Sequence, residues 1–124
     1  MNDAIISAGI VTEPINGSVL MVLDEIEKHF TEHSYDVNQS IEKTGYSVSH
    51  FRKLFRKETE LPPIEYVNCR RIDYAKVIMR QLENPRTIRQ IAEISGFLDP
   101  YYFSRQFKKW TGVSPKEFME QSRN

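Results

Sequence analysis

The sequence predicts an all-α chain of seven helices, on three observations. One helical pattern is written twice within 124 residues. Short polar residues stand as caps at fixed spacing before apolar-periodic runs. Within those runs, apolar residues recur at the three- and four-residue steps of a helix. The predicted helices lie at about 19–31, 37–44, 48–59, 63–81, 88–95, 100–111 and 115–121.

Each element has its own reason. Residues 1–18 have no usable period, and Pro14, Asn16 and Gly17 mark a turn or linker. From Val19, the positions Val19, Val22, Leu23, Ile26 and Phe30 share one helical face, with Asp24, Glu25, Glu27 and Lys28 on the solvent side. Asp36 to Gln39, Thr87 to Gln90 and Ser114 to Glu117 all have capping-box spacing. A short side chain there accepts from a first-turn N–H, and the residue three on reaches back. Asp99-Pro100 and Ser114-Pro115 put a cap before a proline at the first helical position, where its missing N–H costs nothing. Pro62-Pro63 opens a long helix with the stripe Ile64, Val67, Ile72, Ala75, Ile78 and Leu82, and Asn84-Pro85 ends it.

The repeat is specific. Gln90–Met119 repeats the pattern of Gln39–Val67. Gly45 answers Gly96 and Tyr46 answers Phe97, an offset of 51. One extra residue in Leu98–Tyr101 raises the offset to 52. Phe51 then answers Phe103, Lys53 Arg105, Phe55 Phe107, Lys57 Lys109 and Tyr66 Phe118. Each copy is a short helix, a glycine turn and a basic helix, the pattern of a helix-turn-helix unit. The layout is two helix-turn-helix units, about 37–59 and 88–111, joined by a linker helix at about 63–81. A helix of that length spans about 28 Å, against about 34 Å between successive major grooves on one face of DNA. The expected partner is therefore double-stranded DNA, bound by a monomer at two neighbouring segments.

Composition sets bounds. Length and an apolar content of 40% suit one compact domain, or two very small ones sharing a core. No run has the length of a membrane span, and the N-terminus lacks the basic start of a signal peptide. The expected location is the bacterial cytoplasm. A lone Cys69 excludes an intrachain disulfide and a Cys-rich zinc site. No nucleophile, carboxylate pair or cofactor loop suggests an enzyme. Formal net charge is zero, which counts against DNA, but it is unevenly spread. Residues 1–46 carry two Lys/Arg against eight Asp/Glu, and residues 47–124 carry fifteen against nine. Local potential decides where a polyanion docks.

In the helix at 48–59, Val48, Phe51, Leu54 and Phe55 form the expected buried face. Ser49, Arg52 and Lys53 lie at i, i+3 and i+4 near its start and share a face. Arg52 and Lys53 can donate to guanine O6 and N7. Arg56 and Lys57 lie further along and suit phosphate. In the helix at 100–111, Phe103, Phe107 and Trp110 are expected in the core, and Tyr101, Ser104 and Arg105 repeat the base-facing spacing. Arg105 is the best candidate for a bidentate base contact, and Tyr101 could pack on a thymine methyl or a sugar. Tyr102, on another face, reads as a half-buried structural tyrosine. Lys108 and Lys109 suit phosphate. Arg86 and Arg89 could reach the DNA backbone beside the start of the helix at 88–95, where free N–H groups also point. Gly45 and Gly96 sit in turns that need a left-handed backbone.

Ile91-Ala92-Glu93-Ile94-Ser95-Gly96-Phe97, then Asp99 to Lys109 and Gly112 to Phe118, resemble the signature of the AraC/XylS family of bacterial transcription regulators. The likeness extends over roughly 19–120 through Arg71 and Ala75 of the linker helix. It implies two helix-turn-helix units on a long helix, in proteins that act as activators or occasionally repressors, with RNA polymerase as a partner. It also implies base-reading roles for Ser49, Arg52, Lys53, Tyr101, Ser104 and Arg105. Pro100 stands where some members use a polar base contact. The first unit departs from the family pattern. Ser40-Ile41 stands where the second has Ile91-Ala92, placing a serine at an expected core position, and Glu60 stands where the second has Gly112. The expectation is a first unit that is less stable or docks differently. Most family members carry a separate effector or dimerisation domain. The chain is expected to be either a small standalone regulator, or a fragment whose longer parent dimerises through a missing N-terminal domain.

The remaining residues have plainer readings. His29 and His33 stand at i, i+4, a spacing that can bind metal, but no third ligand is near and a helix end welcomes their charge. Neither a metal nor a cofactor is expected. The alternative function is a helical protein-interaction module that has lost specific DNA binding, with its Arg and Lys pairs facing an acidic protein.

Overall fold

A computed structural model describes residues 15–81 and 85–123. Among them are seven helices: α1 Gly17–His29, α2 Val37–Glu42, α3 Val48–Thr59, α4 Pro63–Met79, α5 Ile88–Ile94, α6 Pro100–Thr111 and α7 Pro115–Arg123. No strand occurs among the described residues. The all-α expectation of two helix-turn-helix units on a linker helix holds. Of the tail expected over 1–18, residues 1–14 lie outside the described residues. So do Leu82 and Asn84, cited for the end of the linker helix.

Helix ends differ from expectation by a turn or less. Helix α1 starts earlier, because the Asn16 side chain accepts from Ser18 N–H at 2.8 Å and Val19 N–H at 3.3 Å. It stops at His29, and Phe30 lies just past its end. Thr87 and Gln90 form a full capping box on α5. Ser114 and Glu117 exchange the same two bonds at the start of α7. Asp36 caps α2 through Asn38 N–H at 3.0 Å, so that side chain bonds one residue earlier than the box requires. Asp99 caps α6 with Pro100 at its first position.

The chain divides into two compact units, Met1–Lys28 with Asp36–Tyr66, and His29–Tyr35 with Val67–Asn124. Helix α4 runs from the first into the second. In the first unit, Val19, Val22, Leu23 and Ile26 of α1 are buried, with Val37 and Ile41 of α2 and Phe51 and Phe55 of α3. In the second, Ile72, Ala75, Ile78, Met79, Ile91, Ala92, Phe97, Phe103 and Phe107 form one buried cluster. Ile88, Trp110, Val113, Phe118 and Met119 pack on it, partly buried. Val48 and Ile64, expected on apolar faces, are exposed. Each sits in the first turn of its helix.

The repeat seen in sequence is repeated in atoms. Phe51 and Phe55 stand 5.9 Å apart, and Phe103 and Phe107 5.7 Å. Tyr66 meets Phe55 edge-on at 5.5 Å, and Phe118 meets Phe107 at 5.3 Å. The Thr59 hydroxyl lies 2.8 Å from the Phe55 carbonyl and 3.0 Å from the Leu61 carbonyl, and the Leu61 N–H donates to it at 3.3 Å. Thr111 does the same with Phe107 and Val113 at 2.7, 3.0 and 3.3 Å. Both turns then pass through a left-handed residue, Glu60 at φ 72° and Gly112 at φ 86°.

Candidate nucleic-acid interface

Burying the phenylalanines of α3 decides what its other face presents. Phe51 and Phe55 are fully buried, so Ser49, Arg52, Lys53, Arg56 and Lys57 are all exposed. Among the described residues, the side chains of Arg52, Lys53, Arg56 and Lys57 enter no ion pair. Four cations within two turns of helix therefore stand without an ion-pair partner among the described residues. The Ser47 hydroxyl accepts from His50 N–H at 3.1 Å and fixes the start of the helix.

Helix α6 is built alike. Phe103 and Phe107 are fully buried, while Tyr101, Arg105, Lys108 and Lys109 are exposed and Ser104 is half-buried. Tyr101 is 76% exposed, a large area for an aromatic ring in water, and Leu98 in the preceding turn is equally exposed. The Arg105 guanidinium lies over the Tyr102 ring at 5.8 Å, and the Lys109 ammonium over Trp110 at 5.5 Å. Arg89 is exposed and Arg86 half-buried, on either side of the Thr87 cap.

The turns that set these helices depend on backbone geometry. Gly45 has φ 82° and Gly96 φ 101°, as their positions in the repeat predicted. Gly96 is also crowded: a Cβ there would sit 2.6 Å from the Phe30 carbonyl oxygen and 2.8 Å from Arg71 Nε. Arg71 donates from Nε to the Phe30 carbonyl at 2.6 Å and from Nη2 to the Glu32 carbonyl at 3.0 Å. Burial is the main influence on its guanidinium, lowering its pKa from the ordinary arginine value.

The irregular first unit has a physical resolution. Ser40, at the position of Ile91, is 2% exposed. Its hydroxyl donates to Glu25 Oε1 at 2.6 Å, and Lys43 Nζ approaches the same carboxylate at 3.3 Å. The serine is thus a bonded polar contact between α1 and α2. Sequence reading flagged Ser40 but not its acceptor, because Glu25 lies on the side of α1 assigned to solvent. It also missed Asn68. That side chain is buried on α4, and its Nδ2 donates to the Tyr102 hydroxyl at 2.8 Å. His29 Nδ1 is engaged by Glu32 Oε2 at 2.7 Å, a local helix-end contact. Among the described residues no group of three His, Cys, Asp or Glu could hold a metal ion. Nor is any described helix long and apolar enough to cross a membrane.

A family model described as a helix-turn-helix domain matches residues 41–121. The chain is 30% identical over 105 residues to the arabinose operon regulatory protein of Escherichia coli, covering 85% of this chain and 35% of that one. It is 32% identical over 116 residues to the Msm operon regulatory protein of Streptococcus mutans, covering 90% and 41%. Its fold matches the C-terminal domain of AraT, a response regulator from Geobacillus stearothermophilus, with a TM-score of 0.77, 25% identity and 88% of each chain covered. The chain belongs to the AraC/XylS helix-turn-helix family. Between a third and about two-fifths of the length of those two curated relatives is spanned by it. An AraC/XylS domain binds DNA.

Proposed function

We propose that this AraC/XylS domain reads a bipartite duplex site as a monomer, one helix-turn-helix unit per major-groove segment, in the service of transcription regulation. The observation that carries the reading is the matched pair of helices. In each, the phenylalanines are fully buried while a candidate base-reading triplet and two further cations are exposed, with Ser104 alone of the two sets half-buried. Ser49, Arg52 and Lys53 read one segment, and Tyr101, Ser104 and Arg105 read the other. Arg56, Lys57, Arg86, Arg89, Lys108 and Lys109 hold phosphates, which position the protein without reading sequence. The names of both relatives speak of operon regulation. Activation through contact with RNA polymerase is the family-like outcome.

Footprinting on a duplex selected from a random pool tests this. Protection is expected at two neighbouring major-groove segments on one face. Arg105→Ala should cost about 1–3 kcal/mol at one base pair of the site and little elsewhere. Protection of a single segment would remove the first unit from base reading.

A further inference from the structure

The tandem tyrosines of α6 differ in their surroundings. Tyr101 is 76% exposed; Tyr102, still 37% exposed and so less buried than expected, is tied at its hydroxyl and along its ring. Its hydroxyl accepts from Nδ2 of the buried Asn68 at 2.8 Å. Its ring lies 6.0 Å from the Phe97 ring, and the Arg71 guanidinium lies over Phe97 at 5.8 Å. Arg71 is in turn held by the Phe30 and Glu32 carbonyls. On the exposed side, the Arg105 guanidinium lies over Tyr102 at 5.8 Å. Arg71, Phe97, Tyr102 and Arg105 thus form a cation–ring–ring–cation row, whose inner end is half-buried on α4 and whose outer end is a base-reading candidate.

An exposed arginine samples many rotamers, and ordering it on binding costs free energy. A ring beneath the guanidinium restricts that sampling before DNA arrives. The ring can do so only if it is itself fixed, and the Asn68 bond and Phe97 fix it. We propose that Tyr102 is a positioning residue for Arg105, anchored by Asn68, so that base discrimination by α6 depends on a buried side chain of the linker helix. The inference rests on the base-reading role of Arg105.

The test uses the whole chain, a selected duplex site and random duplex, with affinities from fluorescence anisotropy. Arg105→Ala first identifies the base pair whose preference it abolishes. Tyr102→Leu should then lower discrimination at that same pair about two- to five-fold, the scale of an exposed cation–ring contact. Tyr102→Phe keeps the ring, releases Asn68, and should lower discrimination by a smaller factor. Neither should change affinity for random duplex, and neither should have an effect when Arg105 is already Ala. If Tyr102→Leu does not fold, as melting would report, the nearly isosteric Tyr102→Phe decides. Unchanged base preference in Arg105→Ala would overturn the base-reading role and this inference with it. A preference lost in Arg105→Ala but untouched by the Tyr102 variants would overturn the positioning role alone. So would Tyr102 effects that add in full to those of Arg105→Ala.

Discussion

At the scale of single residues, two left-handed positions behave in opposite ways. Glu60 holds φ 72° with a Cβ, a conformation that costs an L-residue about 1 kcal/mol or more. The matching position in the second unit is Gly112, at φ 86°. Glu60→Gly should therefore stabilise the chain by about 0.5–1 kcal/mol, less than the full strain because glycine loses more entropy on folding. A rise in the urea midpoint with unchanged slope would show it. Gly96 lies at the other extreme, with no room for a Cβ between the Phe30 carbonyl and Arg71. Gly96→Ala should cost about 2–3 kcal/mol or more, combining strain with displacement of the Arg71 bonds. Gly45→Ala meets nothing within 4 Å and should cost only its backbone strain, about 1 kcal/mol. Equal losses at the two glycines would contradict the crowding argument. Ser95 is a different imperfection: its hydroxyl is buried and has no hydrogen-bond partner among the described residues. At the matching position of the first unit, the Thr44 hydroxyl lies 2.6 Å from the Ile41 carbonyl.

At the scale of elements, the helices were legible where local chemistry alone decides them. Caps such as Thr87 with Gln90, and Asp99 before Pro100, fix a helix start through bonds made within a few residues. Those starts could be read directly. The end of α1 could not, because Phe30 continues the apolar period while the backbone leaves the helix. There, Arg71 bonds the carbonyls of Phe30 and Glu32, 41 and 39 residues away in the chain. The candidate site divides in the same way. Exposure of Ser49, Arg52, Lys53, Tyr101 and Arg105 follows from helical spacing once the phenylalanines are known to be buried. The Asn68 to Tyr102 and Ser40 to Glu25 bonds join distant stretches of chain, and no periodicity announces them. The cap of α7 yields a pH prediction. The Ser114 backbone N–H, and then its hydroxyl, hold the Glu117 carboxyl below the ordinary carboxylate value. Its folded pKa lies under its unfolded one, so its contribution is fully present above the unfolded value and fades as pH falls through the folded one. Melting temperatures of wild type and Glu117→Gln should therefore differ at neutral pH and converge in acid. A gap that widened in acid would show that Glu117 plays no such part.

At the scale of the whole molecule, zero net charge conceals a polarised chain. Fifteen of the seventeen Lys and Arg lie in residues 47–124, and eight of the seventeen Asp and Glu lie in residues 1–46. A protein neutral overall gains little long-range attraction to DNA, so binding rests on the cations that reach phosphate. Each such contact releases condensed counterion, and log K falls with log salt by about 0.9 per phosphate neutralised. This gives a way to ask whether both units engage DNA. Lys57 and Lys109 occupy the same place on α3 and α6, one in each unit. If both units dock, Lys57→Ala and Lys109→Ala should each lower the salt slope by about 1 and weaken specific and random duplex alike. Arg105→Ala should instead alter the preference at one base pair. Should only the second unit dock, Lys57→Ala would leave the slope where it was while Lys109→Ala still lowered it. A slope near zero for the unaltered chain on random duplex at low salt would point instead to an acidic protein as the partner of these basic helices.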